Sequence, residues 1–165
     1  GKRGYEVGVR KKRTLSRNMR AAPRELHLNR QVSLYSDKNK PNCKGELPST
    51  AVRGLELFNA GEYWHAHEAL EEAWLAESDP VRNLYKGILQ AGVTYLHIRR
   101  GNYRGALKVY RRAIRWLEQY PANCKGIDVA KLRADLRAAI VELERLGPNQ
   151  IDMFQKEYFK PLVWL

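Results

Sequence analysis

The architecture follows from a stretch of sequence that occurs twice. It first reads Gly-Glu-Tyr-Trp-His-Ala over residues 61–66 and continues to an alanine at position 73. At an offset of 40 residues it reads Gly-Asn-Tyr-Arg-Gly-Ala over 101–106 and continues to an alanine at position 113. In each copy the glycine ends one helix, the tyrosine wedges between helices, and the alanines permit close approach of a neighbouring helix. The repeat therefore predicts two similar helical hairpins.

The spacing within each copy resembles that of the second helix of a tetratricopeptide hairpin, and a first helix precedes each copy. Two hairpins are too few for a long solenoid, so we expect a compact bundle of about four helices that is closed by a fifth. Apolar periodicity and breaking residues place the helices at about 49–60, 62–77, 80–99, 102–120 and 128–146. Asp79 is expected to cap the third helix, with Pro80 as its first residue, and Asn102 is expected to cap the fourth. No segment alternates strictly enough to predict a strand.

The predicted fold class is therefore all-α, with two tetratricopeptide-like hairpins, a closing helix and an extended basic tail at the N-terminus. Residues 1–47 are assigned to the tail and a linker, and residues 48–147 to the helical bundle. Residues 148–165 form an apolar C-terminal segment, which is expected to pack on the bundle or on a partner. The hydrophobic share of 44% is enough for a core and excludes a fully disordered chain. No run of about 18 apolar residues is present, so no transmembrane segment is expected.

The net charge of +12 is concentrated at one end of the chain. Residues 1–30 contain ten lysines and arginines but only two acidic residues, and so contribute +8. A basic arm of this kind attracts phosphate backbones through counterion release, whatever the base sequence. The same composition is also typical of an organelle transit peptide, or of a tail that contacts only solvent. The candidate anchoring residues in the tail are Arg10, Lys11, Lys12, Arg13, Arg17 and Arg20.

Two cysteines, Cys43 and Cys124, occur in the same Asn-Cys-Lys-Gly context. Two thiols alone are too few for a structural zinc site. Because disulfides are rare in cytosolic proteins, we expect both cysteines to be reduced thiols in separate loops. The alternative is a bridge that joins the two loops, and it depends on the distance between them.

Histidine and glutamate residues are concentrated in the second helix. His67 and Glu71 are four residues apart and therefore share a face of that helix. Because buried histidines and carboxylates need partners, we expect a structural network with the neighbouring helices. The acidic residues of this helix are also candidates for ion pairs, across the bundle, with the basic residues of the stretch 99–115. The candidate partners on the neighbouring helices are Arg82, Gln90, His97 and Asn102.

Two alternatives remain open for this cluster. One is a metal site, and its candidate ligands are His65, His67, Glu71 and His97. With Glu68, such a site would support a metal-dependent hydrolase. The zinc-protease motif His-Glu-x-x-His is absent, because position 71 is glutamate. The other alternative is a pocket for a small ligand within the bundle.

The stretch 99–115 also allows a different function. Its basic residues lie on overlapping faces of the fourth helix, with Tyr103, Tyr110 and Trp116 interleaved. Basic and aromatic side chains together are typical of single-stranded nucleic-acid binding. Tyr103 and Trp116 are, however, expected in the core. The basic residues of the fourth helix are Arg104, Lys108, Arg111, Arg112 and Arg115.

The run from Leu57 to Trp74 resembles the signature of an uncharacterised family, called domain of unknown function three hundred and nine. Further matches lie at Arg82, Leu84–Gln90, His97, Arg100–Asn102 and Gly105–Ala106. By this resemblance, the candidate polar core or ligand site consists of His67, Glu68, Glu71, Arg82, Gln90, His97 and Asn102. The resemblance covers about residues 48–120. It implies an all-helical bundle that is found in bacteria, archaea and plastid-bearing eukaryotes. It implies no reaction, because the family has no agreed activity.

We therefore predict a non-catalytic helical binding module, or an accessory subunit of a larger assembly. Protein subunits are its expected partners, and nucleic acid is a candidate partner of the basic tail. Removal of residues 1–35 should abolish binding to the assembly with little change in melting temperature. No catalytic residue, metal or cofactor is assigned, and the metal-dependent hydrolase is the alternative. The expected location is the prokaryotic cytoplasm or the plastid stroma.

Overall fold

The computed structural model describes residues 39–165, so the basic tail and its candidate anchoring residues lie outside the described part of the chain. Five α-helices follow one another within it. They are α1 (Ser49–Asn59), α2 (Tyr63–Ala76), α3 (Arg82–Arg99), α4 (Tyr103–Leu117) and α5 (Val129–Leu146). The prediction of an all-α bundle, built from two hairpins and a closing helix, is confirmed.

The two hairpins turn in the same way. Gly61 and Gly101 both have a φ of +77°, in the left-handed region that glycine adopts most easily. In each turn the glycine amide donates to the carbonyl three residues back, and the next amide donates to the carbonyl five residues back. Both bonds are 2.9 Å long in the first turn, and they are 3.0 and 2.8 Å long in the second. The repeat in the sequence is therefore also a repeat in backbone geometry.

Helix α3 lies at the centre of the bundle. Helices α2 and α4 both pack against it, while α1 packs on α2 and α5 packs on α4. Two glycines of α3 allow this close approach. A Cβ atom at Gly87 would lie 2.8 Å from a methyl carbon of Leu117 in α4, and one at Gly92 would lie 3.6 Å from the ring of Tyr63 in α2 and 3.3 Å from the ring of Phe58 in α1. Residues around most of its circumference are buried, as its apolar sequence predicts.

The start of α3 differs from the prediction. The helix begins at Arg82 and not at Pro80. The amides of residues 82–84 instead donate to carbonyls three residues back, which makes a tighter turn before the helix. The Asp79 carboxylate accepts from the Val81 amide at 2.8 Å and from the Asn42 amide at 2.9 Å. Asp79 therefore connects this turn to the linker that precedes α1.

A short β-hairpin, which the sequence did not predict, connects α4 to α5. Its strands are β1 (Asn123–Cys124) and β2 (Ile127–Asp128), and they pair antiparallel. Lys125 and Gly126 form the turn with φ angles of +53° and +77°. Positive φ at both central residues is typical of two-residue hairpin turns. Strands of two residues are too short to show an alternating pattern, which explains why they were missed.

Cys43 and Cys124 form a disulfide bond, and their Cα atoms are 4.4 Å apart. The expectation of two separate reduced thiols is therefore wrong, and the alternative of a bridge is correct. The Lys125 amide donates to the Cys43 carbonyl at 2.7 Å, so a backbone hydrogen bond also joins the linker to the β-hairpin. The two cysteines are 81 residues apart, and the loop that they close contains both helical hairpins.

The C-terminal segment packs on the bundle. Two 3₁₀ helices follow α5, at Pro148–Met153 and Lys156–Tyr158. The ring centroid of Phe159 lies 5.3 Å from that of Tyr95 and 6.4 Å from that of Tyr63. The Asn59 amide exchanges two hydrogen bonds with the backbone of Leu162, at 2.9 and 2.7 Å. None of the helices in residues 39–165 is long and apolar enough to cross a membrane.

Candidate functional site

A tryptophan and two cations join α2 to α3. His67, Glu71 and Trp74 lie on one side of α2, because they are spaced by four and then three residues. The cationic groups of Arg82 and Lys86 lie 4.4 and 4.6 Å from the centroid of the Trp74 ring. Arg82 also donates to the Trp74 carbonyl at 3.2 Å. Arg82 therefore contacts Trp74 through a cation–π interaction, and within residues 39–165 it forms no ion pair with a glutamate of α2.

Two of the predicted site residues present buried polar atoms without a partner. His67 Nδ1 and Gln90 Oε1 have no hydrogen-bond partner among residues 39–165. The nearest carboxylate oxygen to His67 Nδ1 belongs to Glu71 and lies 3.9 Å away, which is too far for a hydrogen bond. Unpaired buried polar atoms are costly, so the expected hydrogen-bonded network is incomplete at His67 and Gln90 within residues 39–165.

His97 and Asn102 meet at the corner between α3 and α4. The Asn102 side-chain amide lies 3.2 Å from His97 Nδ1, and its oxygen accepts from the Gly105 amide at 2.9 Å. Burial, and then the charge of Arg100, lower the pKa of His97 below its ordinary value. The neutral imidazole can accept the amide proton of Asn102. Asn102 therefore caps α4, as predicted, and His97 contacts the amide of this cap.

The candidate metal ligands do not converge. His65 pairs with Glu68 at 3.8 Å, and His67 lies near Glu71, each within one helix. His97 lies at the far end of α3, against Asn102. Within residues 39–165, no group of three or more histidine, cysteine or acidic side chains is placed to hold a metal ion. No geometry in the described part of the chain favours the metal-dependent hydrolase.

The outward side of α4 is a strongly cationic surface, here called the cationic face. Its basic side chains recur every three or four residues, so they lie on one side of the helix, and all are exposed. They extend over about 16 Å of the helix axis. In the described part of the chain, none of them forms an ion pair. The cationic face consists of Arg104, Lys108, Arg111, Arg112 and Arg115.

The ion pairs that the sequence suggested between α2 and the stretch 99–115 are not formed. Each ion pair among residues 39–165 joins two residues of the same helix, namely His65–Glu68, His67–Glu71, Lys131–Asp135 and Glu142–Arg145. The reason is the position of α3, which lies between α2 and α4. Both outer helices present their charged residues to solvent and their alanines to the core.

The three aromatic residues of α4 differ in their surroundings. Tyr103 and Tyr110 are half-buried and pack against the core, which Tyr103 was expected to do. Trp116 is also half-buried, beside Gly87 of α3. It follows Arg112 by one helical turn, so its outer edge borders the cationic face. Trp116 is therefore the aromatic side chain that is best placed to contact a ligand there.

A residue of α5, which the sequence did not indicate, holds the end of α4. Arg133 of α5 donates to the carbonyls of Leu117 and Tyr120, at 2.9 and 3.0 Å. It therefore satisfies carbonyl groups at the C-terminal end of α4 and holds that end in place. The contact joins residues 13 and 16 positions apart, so no local sequence pattern indicates it.

These features define a class: an all-helical bundle of hairpins with a cationic outer helix. Residues 51–109, from α1 into α4, match the family described as "Domain of unknown function (DUF309)", which confirms the resemblance found in the sequence. An "Uncharacterized protein" of Aquifex aeolicus (strain VF5) is 27% identical over 95 residues. The match covers 57% of this chain but only 28% of that relative, so the chain spans less than a third of the relative's length.

Proposed function

We propose that this protein is a non-catalytic helical binding module, an accessory subunit of a larger assembly that contains nucleic acid. The cationic face of α4 is the proposed contact with the phosphate backbone. The observation that carries this proposal is a set of five exposed cations on one side of one helix, none of which has an anionic partner in residues 39–165.

Electrostatics favours a polyanion as the ligand of this face. Neighbouring cations on a helix repel one another, by a few tenths of a kcal/mol for each close pair. A phosphate backbone removes this repulsion and releases its own condensed counterions. The net charge of +12 adds a long-range attraction for any polyanion. Half-buried Trp116 at the border of the face offers a ring edge for contact with a base.

The polar residues of the predicted site support a binding function more than a catalytic one. Asn102 caps α4, and Arg82 contacts Trp74. His97 is the partner of Asn102. These side chains are engaged in holding the helices together, whereas the cations of α4 have no structural role within the described residues.

A titration of fluorescently labelled single-stranded RNA tests this proposal. The triple variant K108Q/R111Q/R112Q of the full chain should bind at least about tenfold more weakly than the wild type. The slope of log affinity against log salt should become flatter by about 2, because each lost cation removes about 0.7 from it. The measurement is fluorescence anisotropy between low and moderate salt.

The matched control is K40Q/K156Q/K160Q, which removes the same charge from exposed positions outside α4. It should keep most of the affinity and of the salt slope. Equal losses in the two triple variants would show that only net charge matters, and the cationic face would then not be the binding site.

The basic tail is the second proposed anchor, and its argument rests on sequence alone. The variant R10Q/K11Q/K12Q/R13Q should weaken RNA binding further when it is combined with the α4 variant. Its melting temperature should stay close to that of the wild type. Unchanged binding in the tail variant would remove the tail from the proposal but leave α4 in it.

The proposed location is the prokaryotic cytoplasm or the plastid stroma, and the proposed partners include protein subunits. The disulfide bond must then form in that compartment, although such bonds are rare in cytosolic proteins. Alkylation of free thiols in freshly lysed cells measures this directly. Labelling of Cys43 and Cys124 in most molecules would argue for the reduced form in the cell.

A further inference from the structure

The two repeated helices carry opposite charges at equivalent positions. The offset of 40 residues that relates the buried alanines of α2 and α4 also relates three outward acids of α2 to three outward bases of α4. The equivalent positions are Glu68 and Lys108, Glu71 and Arg111, and Glu72 and Arg112. Because the two helices share one backbone geometry, the two sets of charges have the same spacing.

The outward side of α2 is as open as the cationic face of α4. Glu68, Glu71 and Glu72 are exposed, and none of them pairs with a lysine or arginine within residues 39–165. Two large apolar side chains flank the acids along the helix. Trp64 is 52% exposed and Leu75 is 65% exposed. Exposed large apolar side chains beside charged ones are typical of a protein-binding surface.

We propose that α2 of one copy of this protein docks antiparallel on α4 of a second copy. The facing pairs would be Glu68 with Arg112, Glu71 with Arg111, and Glu72 with Lys108. Trp64 would then lie near the guanidinium group of Arg115, an arrangement that favours a cation–π contact. Leu75 would lie at the other end, beside the aliphatic stem of Arg104.

A second copy fits this surface better than an unrelated basic helix. Both faces derive from one repeat, so their charges match in number. In the antiparallel arrangement Glu68 and Glu72 face Arg112 and Lys108 in register, whereas Glu71 and Arg111 are offset by two residues, about 3 Å along the helix axis, which their long side chains can span. The α2 and α4 helices of one molecule cannot meet, because α3 lies between them. The contact is therefore between different surfaces of two copies, and it leads to head-to-tail chains or rings.

This association would also regulate the proposed nucleic-acid site. A second copy and a phosphate backbone would use the same cations of α4, so each would exclude the other. This last step rests on the proposed function, whereas the association of copies does not. The net charge of +12 opposes the approach of copies and keeps their association weak.

Sedimentation velocity of the full chain without nucleic acid tests the association. The average sedimentation coefficient of the wild type should rise with protein concentration near 0.1 M salt, where the Debye length is about 10 Å. The rise should disappear in high salt. The variants E68K/E71K/E72K and K108E/R111E/R112E should each associate at least about tenfold more weakly, because three attractive pairs become repulsive.

An equimolar mixture of the two variants gives the decisive result. In the mixture each basic helix again finds an acidic one, so the concentration-dependent rise should return. Circular dichroism melting shows that both variants are folded, as expected for exposed positions. A wild type that stays monomeric at all concentrations, or a mixture that stays monomeric when both variants are folded, would overturn the proposal. RNA binding is measured separately, so failure here leaves the proposed function untouched.

Discussion

Helices α2 and α4 have similar buried sides and oppositely charged exposed sides. Each follows a glycine with a φ of +77°, and each buries two alanines that are seven residues apart. On the outward sides, three glutamates of α2 stand where α4 has a lysine and two arginines. The buried sides must fit against α3, which leaves little freedom of residue type.

This contrast places the difference between the two hairpins in their exposed charges. Exposed charges contribute little to folding, since single surface substitutions usually change the free energy of unfolding by less than about 0.5 kcal/mol. The outward sides are therefore free to differ in charge, and in our proposals the acids of α2 and the bases of α4 attract groups of opposite sign. Matched substitutions at equivalent positions of the two hairpins test whether their buried sides are equivalent and their exposed sides are not.

The largest expected effect concerns the disulfide bond that encloses both hairpins. The double variant C43S/C124S should lose about 4 kcal/mol of unfolding free energy. The reason is that the unfolded chain gains considerable entropy when a closed loop of this length is opened. Guanidinium denaturation, followed by circular dichroism, measures the loss. The two hairpins should still unfold in a single transition. Two separate transitions would mean that the hairpins are independent and that their comparison as parts of one unit fails.

The next effect concerns the glycines at the two turns. Gly61→Ala and Gly101→Ala should each cost about 1–2 kcal/mol, because a side chain disfavours the left-handed conformation. A Cβ atom would meet nothing closer than 3.6 Å at Gly61 and 3.9 Å at Gly101, so backbone strain is the main cost at both sites. Equal losses in thermal or chemical denaturation are expected. A clear difference between the two would mean that the turns are not equivalent.

The smallest expected effect concerns the N-cap residues of α2 and α4. Asn102 caps α4 through its side chain, whereas Glu62, at the equivalent position before α2, makes no such bond. Asn102→Ala should therefore cost about 1 kcal/mol, and Glu62→Ala should cost close to nothing. Chemical denaturation of the two variants checks this. A larger loss for Glu62→Ala would show that the capping difference was assigned to the wrong hairpin.

The sequence predicted the elements that depend on local patterns. The five helices, their two hairpins and the cap at Asn102 follow from apolar periodicity, glycine breaks and a polar N-cap residue. The polar cluster was predicted as a set of residues, but its contacts were not. A carboxylate network was expected where the structure has Arg82 and Lys86 on the ring of Trp74.

The features that the sequence did not predict all depend on distances across the fold. The linker and the β-hairpin must come together before Cys43 and Cys124 can bond, and no pattern near either cysteine indicates this. The position of α3 between α2 and α4 likewise decides that their charges cannot neutralise each other. The opposite charges at equivalent positions of α2 and α4 are visible in the sequence. They can serve association between copies only because the structure leaves both sides exposed.

The most direct test of the account moves the cationic face from one helix to the other. The variant K108Q/R111Q/R112Q should lose RNA affinity, and the further changes E68K/E71R/E72R place the same three cations on the outward side of α2. The measurement is the salt dependence of RNA affinity in fluorescence anisotropy. We expect the slope to fall by about 2 in the first variant and to return in the second. A first variant with an unchanged slope, or a second that fails to regain it while remaining folded, would contradict the claim that outward charge alone separates the two hairpins.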